Sequence, residues 1–173
     1  MAIIRELNGI TPKIGKNCFI AENAAIIGDV EIGDDCSIWY GVVLRGDVNK
    51  IIIKNRVNVQ DNATIHTTYQ KSITVLDDDV SVGHNAVIHG AHVGKGCLVG
   101  MGSVLLDNAE IAPGSIIAAG AVVLAGANLE PGIYAGIPAK KVKDGSPAVT
   151  ETAGHNAKQY MMYKDWYKSD EAE

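Results

Sequence analysis

A chain of 173 residues with 47% apolar side chains is long enough to form one domain around its own core without disulfides. Its 15 lysines and arginines stand against 20 aspartates and glutamates, a formal net charge of −5, and no basic run follows a phosphate backbone, so nucleic acid is not an expected partner. No apolar run could span a bilayer, the opening MAIIRELNG carries no targeting pattern, and the 3 cysteines form no CxxC pair; the expectation is a soluble, cytoplasmic protein with no membrane partner.

The chain repeats with a period of six. Stepping from Ile14 gives Ile20, Ile26, Ile32, Ile38 and Leu44; the register slips and resumes at Ile53, Val59 and Ile65, then at Leu76, Val82 and Ile88, then from Val93 through Val99, Leu105, Ile111, Ile117 and Val123 to Leu129. Four residues after most of these anchors stands a small side chain, among them Cys18, Ala24, Cys36, Ala63, Ala86, Cys97 and Ser103. Helices want apolar spacings of three and four, and hairpin strands want alternation by two, so neither fits. One inward aliphatic and one tight corner per six residues make one side of a coil whose turns stack ~4.8 Å apart. Three sides close a triangular turn, and the anchors predict about six turns of a parallel β-helix over residues 1–142. The fold class is therefore all-β. The cysteines, all in small corner slots of one face, are expected to be buried small hydrophobes, and Asp77–Asp79 a solvated corner. Gly83, Gly94 and Gly100 are expected at backbone turns.

After Val142 the pattern stops. DGSP reads as a linker, and from about Thr150 the residues Ala153, Ala157, Tyr160, Met161 and Lys164 recur at helical spacing, so residues 143–173 are predicted to be a linker and a carboxyl-terminal α-helix packed along the prism.

If each slip bulges from a corner, every anchor advances one face. Leu44, Ile65 and Ile88 then share a first face, and Arg45, His66 and His89, each one residue later, form a ladder. Ile38, Val59, Val82 and Val99 share a third face, where Asp61 and His84 stack two residues after their anchors, with Gln60 beside Asp61. A second chain laid face to face brings the two ladders together, as in a parallel homotrimer. The expectation is that His66 and His89 of one subunit meet His84 of the next, and that Arg45 pairs with Asp61 across the same boundary. Three imidazoles without thiolates suit Zn2+ and related divalent metals such as Fe2+ or Co2+, and three protein ligands leave a coordination position open, the pattern of a catalytic zinc. His92 and His155 are expected at the surface.

RGD at Arg45–Asp47, NVQDNATIH at Asn58–His66, GHNAVIHG at Gly83–Gly90 and AGIPAKKV at Ala135–Val142 together resemble the gamma-class carbonic anhydrases and their bacterial homologues, over nearly the whole chain. The resemblance implies a left-handed β-helix, a lyase interconverting carbon dioxide and bicarbonate, and a zinc held by His66, His84 and His89, with His84 from the adjacent subunit. It implies that Gln60 orients the nucleophile at the metal, that Arg45, Asp47 and Asp61 form a polar network at the interface, that Asn58 belongs to the same site, and that Tyr160 lies near bound bicarbonate. Two places depart from the family pattern. Val48 stands where an acidic residue follows the RGD aspartate, and the short TTYQKSIT replaces the acidic loop that supplies a proton shuttle. The competing functions are a hexapeptide acyltransferase or thioester-processing enzyme using coenzyme A, and a non-catalytic metal-binding homologue.

Overall fold

The computed structural model describes residues 1–170. Its strands, most of two or three residues, lie in parallel on three faces, and one helix follows. The predicted anchors are cross-strand neighbours throughout. On the first face the register runs Ile4, Ile26, Leu44, Ile65, Ile88, Leu105, Val123. On the second it runs Ile14, Ile32, Ile53, Leu76, Val93, Ile111, Leu129, and on the third Ile20, Ile38, Val59, Val82, Val99, Ile117, Tyr134. That is about seven turns of a parallel β-helix, one more than the periodicity predicts. The extra rungs are Ile4, exposed on the first coil, and Tyr134, a buried aromatic where the pattern has aliphatics.

Alternation along each strand turns the anchors inward, and apart from exposed Ile4 and the half-buried Ile14 and Ile20 they form one continuous apolar core. Fully burying a side chain of this kind contributes about 1.5–3 kcal/mol, so the stack is the main source of stability. The corners have a rule that the small residues only half reveal. The residue just before most of the small ones adopts a left-handed backbone, and where it is not glycine it is Asn or Asp, as at Asn17, Asp35, Asn62, Asn85 and Asn108. Short amide and carboxyl side chains tolerate that conformation best after glycine. Gly83, Gly94 and Gly100 have ordinary backbone angles; a Cβ on them would meet backbone of the next coil at 2.5–2.7 Å, so they serve close approach rather than turning.

The first register slip is not a loop. Val43–Ile53 is one 11-residue strand that runs from the first face onto the second and merges the two into a 12-stranded sheet. The second slip, after His66, is a turn. Beyond the last coil, Lys140–Asp144 folds back antiparallel on Gly132–Ala135, so the expected linker is strand as far as Asp144. The helix spans Pro147–Asp170, starting ahead of Thr150 because Ser146 Oγ accepts from the Val149 amide (3.3 Å) and Pro147 suits a first turn. It lies on the third face, burying Val149, Ala153, Ala157 and Lys164, with Tyr160 and Met161 half-buried. No helix among the described residues is long and apolar enough to cross a membrane.

The acidic corner is paired rather than merely solvated: Asp77 meets Lys54 (2.6 Å) and His92 (3.2 Å), and Asp79 meets Arg56 (2.6 Å). His155 is exposed as expected. Each cysteine thiol donates to a carbonyl of the next coil, Cys18 to Gly33 (3.1 Å), Cys36 to Lys54 (3.0 Å) and Cys97 to Ala112 (3.1 Å). Burial pushes the Cys97 thiol up to about 12, the adjoining Cys18 and burial together raise Cys36, and the Cys36 thiol lowers half-buried Cys18 to about 7. The thiolate is the nucleophile, so alkylation should select Cys18, with a rate that rises through pH 7, while Cys36 and Cys97 stay unlabelled until the chain unfolds. Peptide mapping after iodoacetamide treatment checks this; equal labelling of all three contradicts it.

Candidate metal centre

Strands Thr64–His66 and Val87–His89 pair in parallel with His66 opposite His89, and alternation that buries Ile65 and Ile88 turns both imidazoles outward. His66 Nδ1 and His89 Nε2 face each other at 3.1 Å. Each ring is backed on its other nitrogen by a carboxylate. His66 Nε2 lies 2.8 Å from Asp47 Oδ1, and His89 Nδ1 lies 3.1 Å from Asp107 Oδ1. Asp47 is brought there by the long strand and is itself held by the Arg45 guanidinium. Burial opposes ionisation of Asp47, but hydrogen bonds from His66 and Arg45 outweigh it and hold the carboxyl below its ordinary range. Asp107 is lowered in the same way, against burial, by Ser72, Thr68 and His89.

On the third face, His84 Nδ1 lies 2.9 Å from Asp61 Oδ2. Beside it a polar chain is buried: Asn58 Nδ2 donates to Ser81 Oγ (2.7 Å), and Gln60 Nε2 donates to Asn58 Oδ1 (3.0 Å). That bond fixes the amide, leaving Gln60 Oε1 as the acceptor that can face the site. The helix supplies Tyr160, packed edge-on against Trp39 with ring centroids 5.4 Å apart. Burial, then Asp61 and Tyr163, push its hydroxyl up to about 12. Gln60, His84 and Tyr160 line one open cavity of about 350 Å³ that runs along Leu98–Met101 and Ile116–Ala119.

One chain therefore brings Arg45, Asp47, His66 and His89 together on one face, and Asn58, Gln60, Asp61, His84 and Tyr160 on another. Arg45 meets Asp47 and Asp61 meets His84 within the chain. Among the described residues no three His, Cys, Asp or Glu side chains of the single chain gather as a metal site. The donors nevertheless fit a metal. With each ring neutral and donating to its carboxylate, His66 and His89 turn two lone pairs toward one point, an arrangement that a cation resolves. Their 3.1 Å separation is near the edge of about 3.3 Å that two nitrogens at zinc-ligand distance span in a tetrahedron. All three histidines carry a carboxylate on a ring nitrogen, which is how metal-ligating histidines are oriented. Asp107 is the residue that the sequence reading misses. Its signal was present: it follows Leu105 by two, the offset of Asp61 and His84 from their anchors, on the rung next to His89.

The stacked coils and outward histidines define a hexapeptide-repeat protein, and the family described as bacterial transferase hexapeptide (six repeats) matches residues 11–46 and 90–125. A carbonic anhydrase of Geobacillus kaustophilus is 44% identical over 168 residues, covering 96% of this chain and 92% of that protein. Gamma carbonic anhydrase 2, a mitochondrial protein of Arabidopsis thaliana, is 48% identical over 102 residues, 56% of this chain and 37% of the plant protein. A crystal structure of a hexapeptide transferase family protein from Anaplasma phagocytophilum superposes with a TM-score of 0.90 at 37% identity, over 95% of this chain and 98% of that one. The chain belongs to the gamma-class carbonic anhydrase family.

Gly90 follows His89 directly and has a φ of +66°. A Cβ there would fall on Ser72 Oγ and Asp107 Oδ1. Gly90→Ala should therefore cost about 1–3 kcal/mol through the backbone conformation, before any displacement of Asp107 is counted. Chemical denaturation of the two proteins checks this, and a midpoint unchanged by the substitution contradicts it.

Proposed function

We propose that the protein is a zinc-dependent lyase that interconverts carbon dioxide and bicarbonate at a site shared between subunits of a homotrimer. His66 and His89 of one subunit and His84 of the next hold the metal, and Arg45 reaches Asp61 across the same boundary. The observation that carries this reading is the pair of carboxylate-backed imidazoles converging on one point, matched by a third carboxylate-backed histidine on a different face. Family membership supports it independently.

Zinc bound there supplies a Lewis acid that lowers the pKa of water to roughly 7, the established value for zinc in carbonic anhydrase rather than one read from this chain. The chain's own residues do the rest. Gln60, its amide fixed by Asn58, accepts a hydrogen bond from the reacting water through Oε1 and so aims its lone pair at the carbon. Tyr160, with its hydroxyl pushed up to about 12, stays protonated at neutral pH and serves as a donor to bicarbonate oxygen. Asp47 and Asp61 hold His66 and His84 in place. The short loop after His66, Thr67–Ser72, holds no histidine or carboxylate to relay a proton. Proton release therefore falls to external buffer.

The apolar cavity of about 350 Å³ beside His84 exceeds what carbon dioxide requires and favours one other reading, a thioester-processing enzyme with an extended acyl group along Leu98–Met101. Acyl transfer from acyl-coenzyme A that persists in a chelator would establish that reading instead.

Untagged protein should contain about one zinc per chain, with stopped-flow hydration of carbon dioxide lost on chelation. Metal-loaded trimer with no hydration above the buffer rate across pH 7 to 9 overturns the lyase reading. His84→Ala should weaken zinc binding by more than about 100-fold while leaving the coil's circular dichroism intact, which metal titration checks. The hydration rate should rise steeply with imidazole buffer concentration at constant pH and ionic strength; a rate independent of buffer would show an internal shuttle.

A further inference from the structure

We propose that Asp107 is the positioning residue of His89, and that the short loop after His66 is a brace that holds Asp107 to this task. The inference deepens the metal-site reading and rests on it for its consequence in binding, although its structural content stands without a metal.

The loop's side chains converge on one carboxylate. Ser72 Oγ donates to Asp107 Oδ1 (2.5 Å) and Thr68 Oγ1 donates to Asp107 Oδ2 (3.0 Å), so both oxygens are anchored from the loop. Oδ1 then has a lone pair left for His89 Nδ1 at 3.1 Å. The loop is itself tied down: Ser72 Oγ accepts from the Thr68 amide (3.1 Å), and Asn49 Nδ2 donates to the Ser72 carbonyl (2.9 Å). Thr74, where the chain re-enters the sheet, closes the frame around both histidine rungs. Its hydroxyl donates to the His66 carbonyl (2.9 Å) and accepts from the Gly90 amide (3.0 Å). The absence of a side chain at Gly90 leaves room for Ser72 and Asp107 to meet.

A carboxylate accepts and cannot donate, so the imidazole opposite it must carry its proton on Nδ1. That leaves the lone pair of Nε2 directed at His66 Nδ1, the point where the metal reading places the ion. Asp107 thus chooses both the tautomer and the rotation of His89. Asp47, held by Arg45, does the same for His66 with a cation in place of two hydroxyls. The two braces differ in kind, and only that of Asp107 is built from a loop that could be exchanged without breaking a coil, since Arg45 and Asp47 stand on the strand Val43–Ile53.

The test compares wild type with Asp107→Ala, Asp107→Asn, Ser72→Ala and the Ser72→Ala/Asp107→Ala double variant. Long-range ¹H–¹⁵N correlation on metal-free protein should show His89 protonated on Nδ1 in wild type and Ser72→Ala, and on Nε2 in Asp107→Ala. Competition of zinc against a chromophoric chelator should show about 10- to 100-fold weaker binding for Asp107→Ala and a smaller loss for Ser72→Ala. The double variant should bind no more weakly than Asp107→Ala, because Ser72 acts through Asp107. Asp107→Asn, which keeps the shape and one acceptor oxygen, should retain the Nδ1 tautomer and recover most of the affinity. An unchanged His89 tautomer in Asp107→Ala overturns the proposal, as does additive loss in the double variant. Wild type that binds no zinc refutes the metal reading alone, since the tautomer comparison still decides the role of Asp107.

Discussion

Everything in this molecule depends on the parallel backbone ladder between coils. Amides of one coil donate to carbonyls of the next, as Ser81 does to Cys97 and Gly83 to Val99, and this fixes neighbouring rungs at ~4.8 Å with no freedom to slip. A slip of one residue would turn every inward aliphatic outward. Register is thus enforced by the whole core, and any two side chains at the same offset from stacked anchors become neighbours. His66 and His89 meet because they follow Ile65 and Ile88, and His84 meets Asp61 because each stands two residues after a valine of the third face.

The same regularity explains what was legible from the amino acids alone. Anchor spacing reveals the faces, and the faces reveal both ladders, since each is a consequence of one short-range rule. Less legible were features that break the rule. Ile4 lies on a terminal coil with solvent on one side, and Tyr134 is an aromatic filling an aliphatic slot, so neither advertises itself by type. The first slip looks like a loop in sequence, but the chain absorbs its extra residues by extending Val43–Ile53 across the corner, where backbone pairing to Ala25–Ile32 continues past a bulge. Helix onset at Pro147 is decided by a serine cap, which hydrophobic spacing does not report.

Asp107 belongs to a third category. Its offset from Leu105 placed it beside the histidine ladder, but nothing in the repeat says that a turn two coils away in sequence will bend back to grip it. That contact spans 35 residues to Ser72 and 39 to Thr68. It arises because the five-residue excess between Ile65 and Ile88 must leave the prism at the corner nearest His89. The place where the repeat is interrupted is therefore where side chains become available to the site without distorting the coil.

The proposed site also links metal binding to assembly. One face supplies two imidazoles and another face the third, and the prism's own core lies between them, so a single chain cannot close the proposed coordination. A ligand that binds only the assembled form stabilises it in proportion to its own affinity, and by reciprocity assembly raises the affinity for the ligand by the same factor. Asp61, which orients His84 within the chain, would in the proposed trimer also meet Arg45 of the neighbour and so contribute to both equilibria at once. A half-site on an isolated chain holds two nitrogens and two carboxylates already organised, which keeps the ordering cost of completion low. Preorganisation of that kind is what the loop brace and the Arg45–Asp47 pair provide: the rigid ladder sets the spacing of the rings, and the carboxylates behind them set where their lone pairs point.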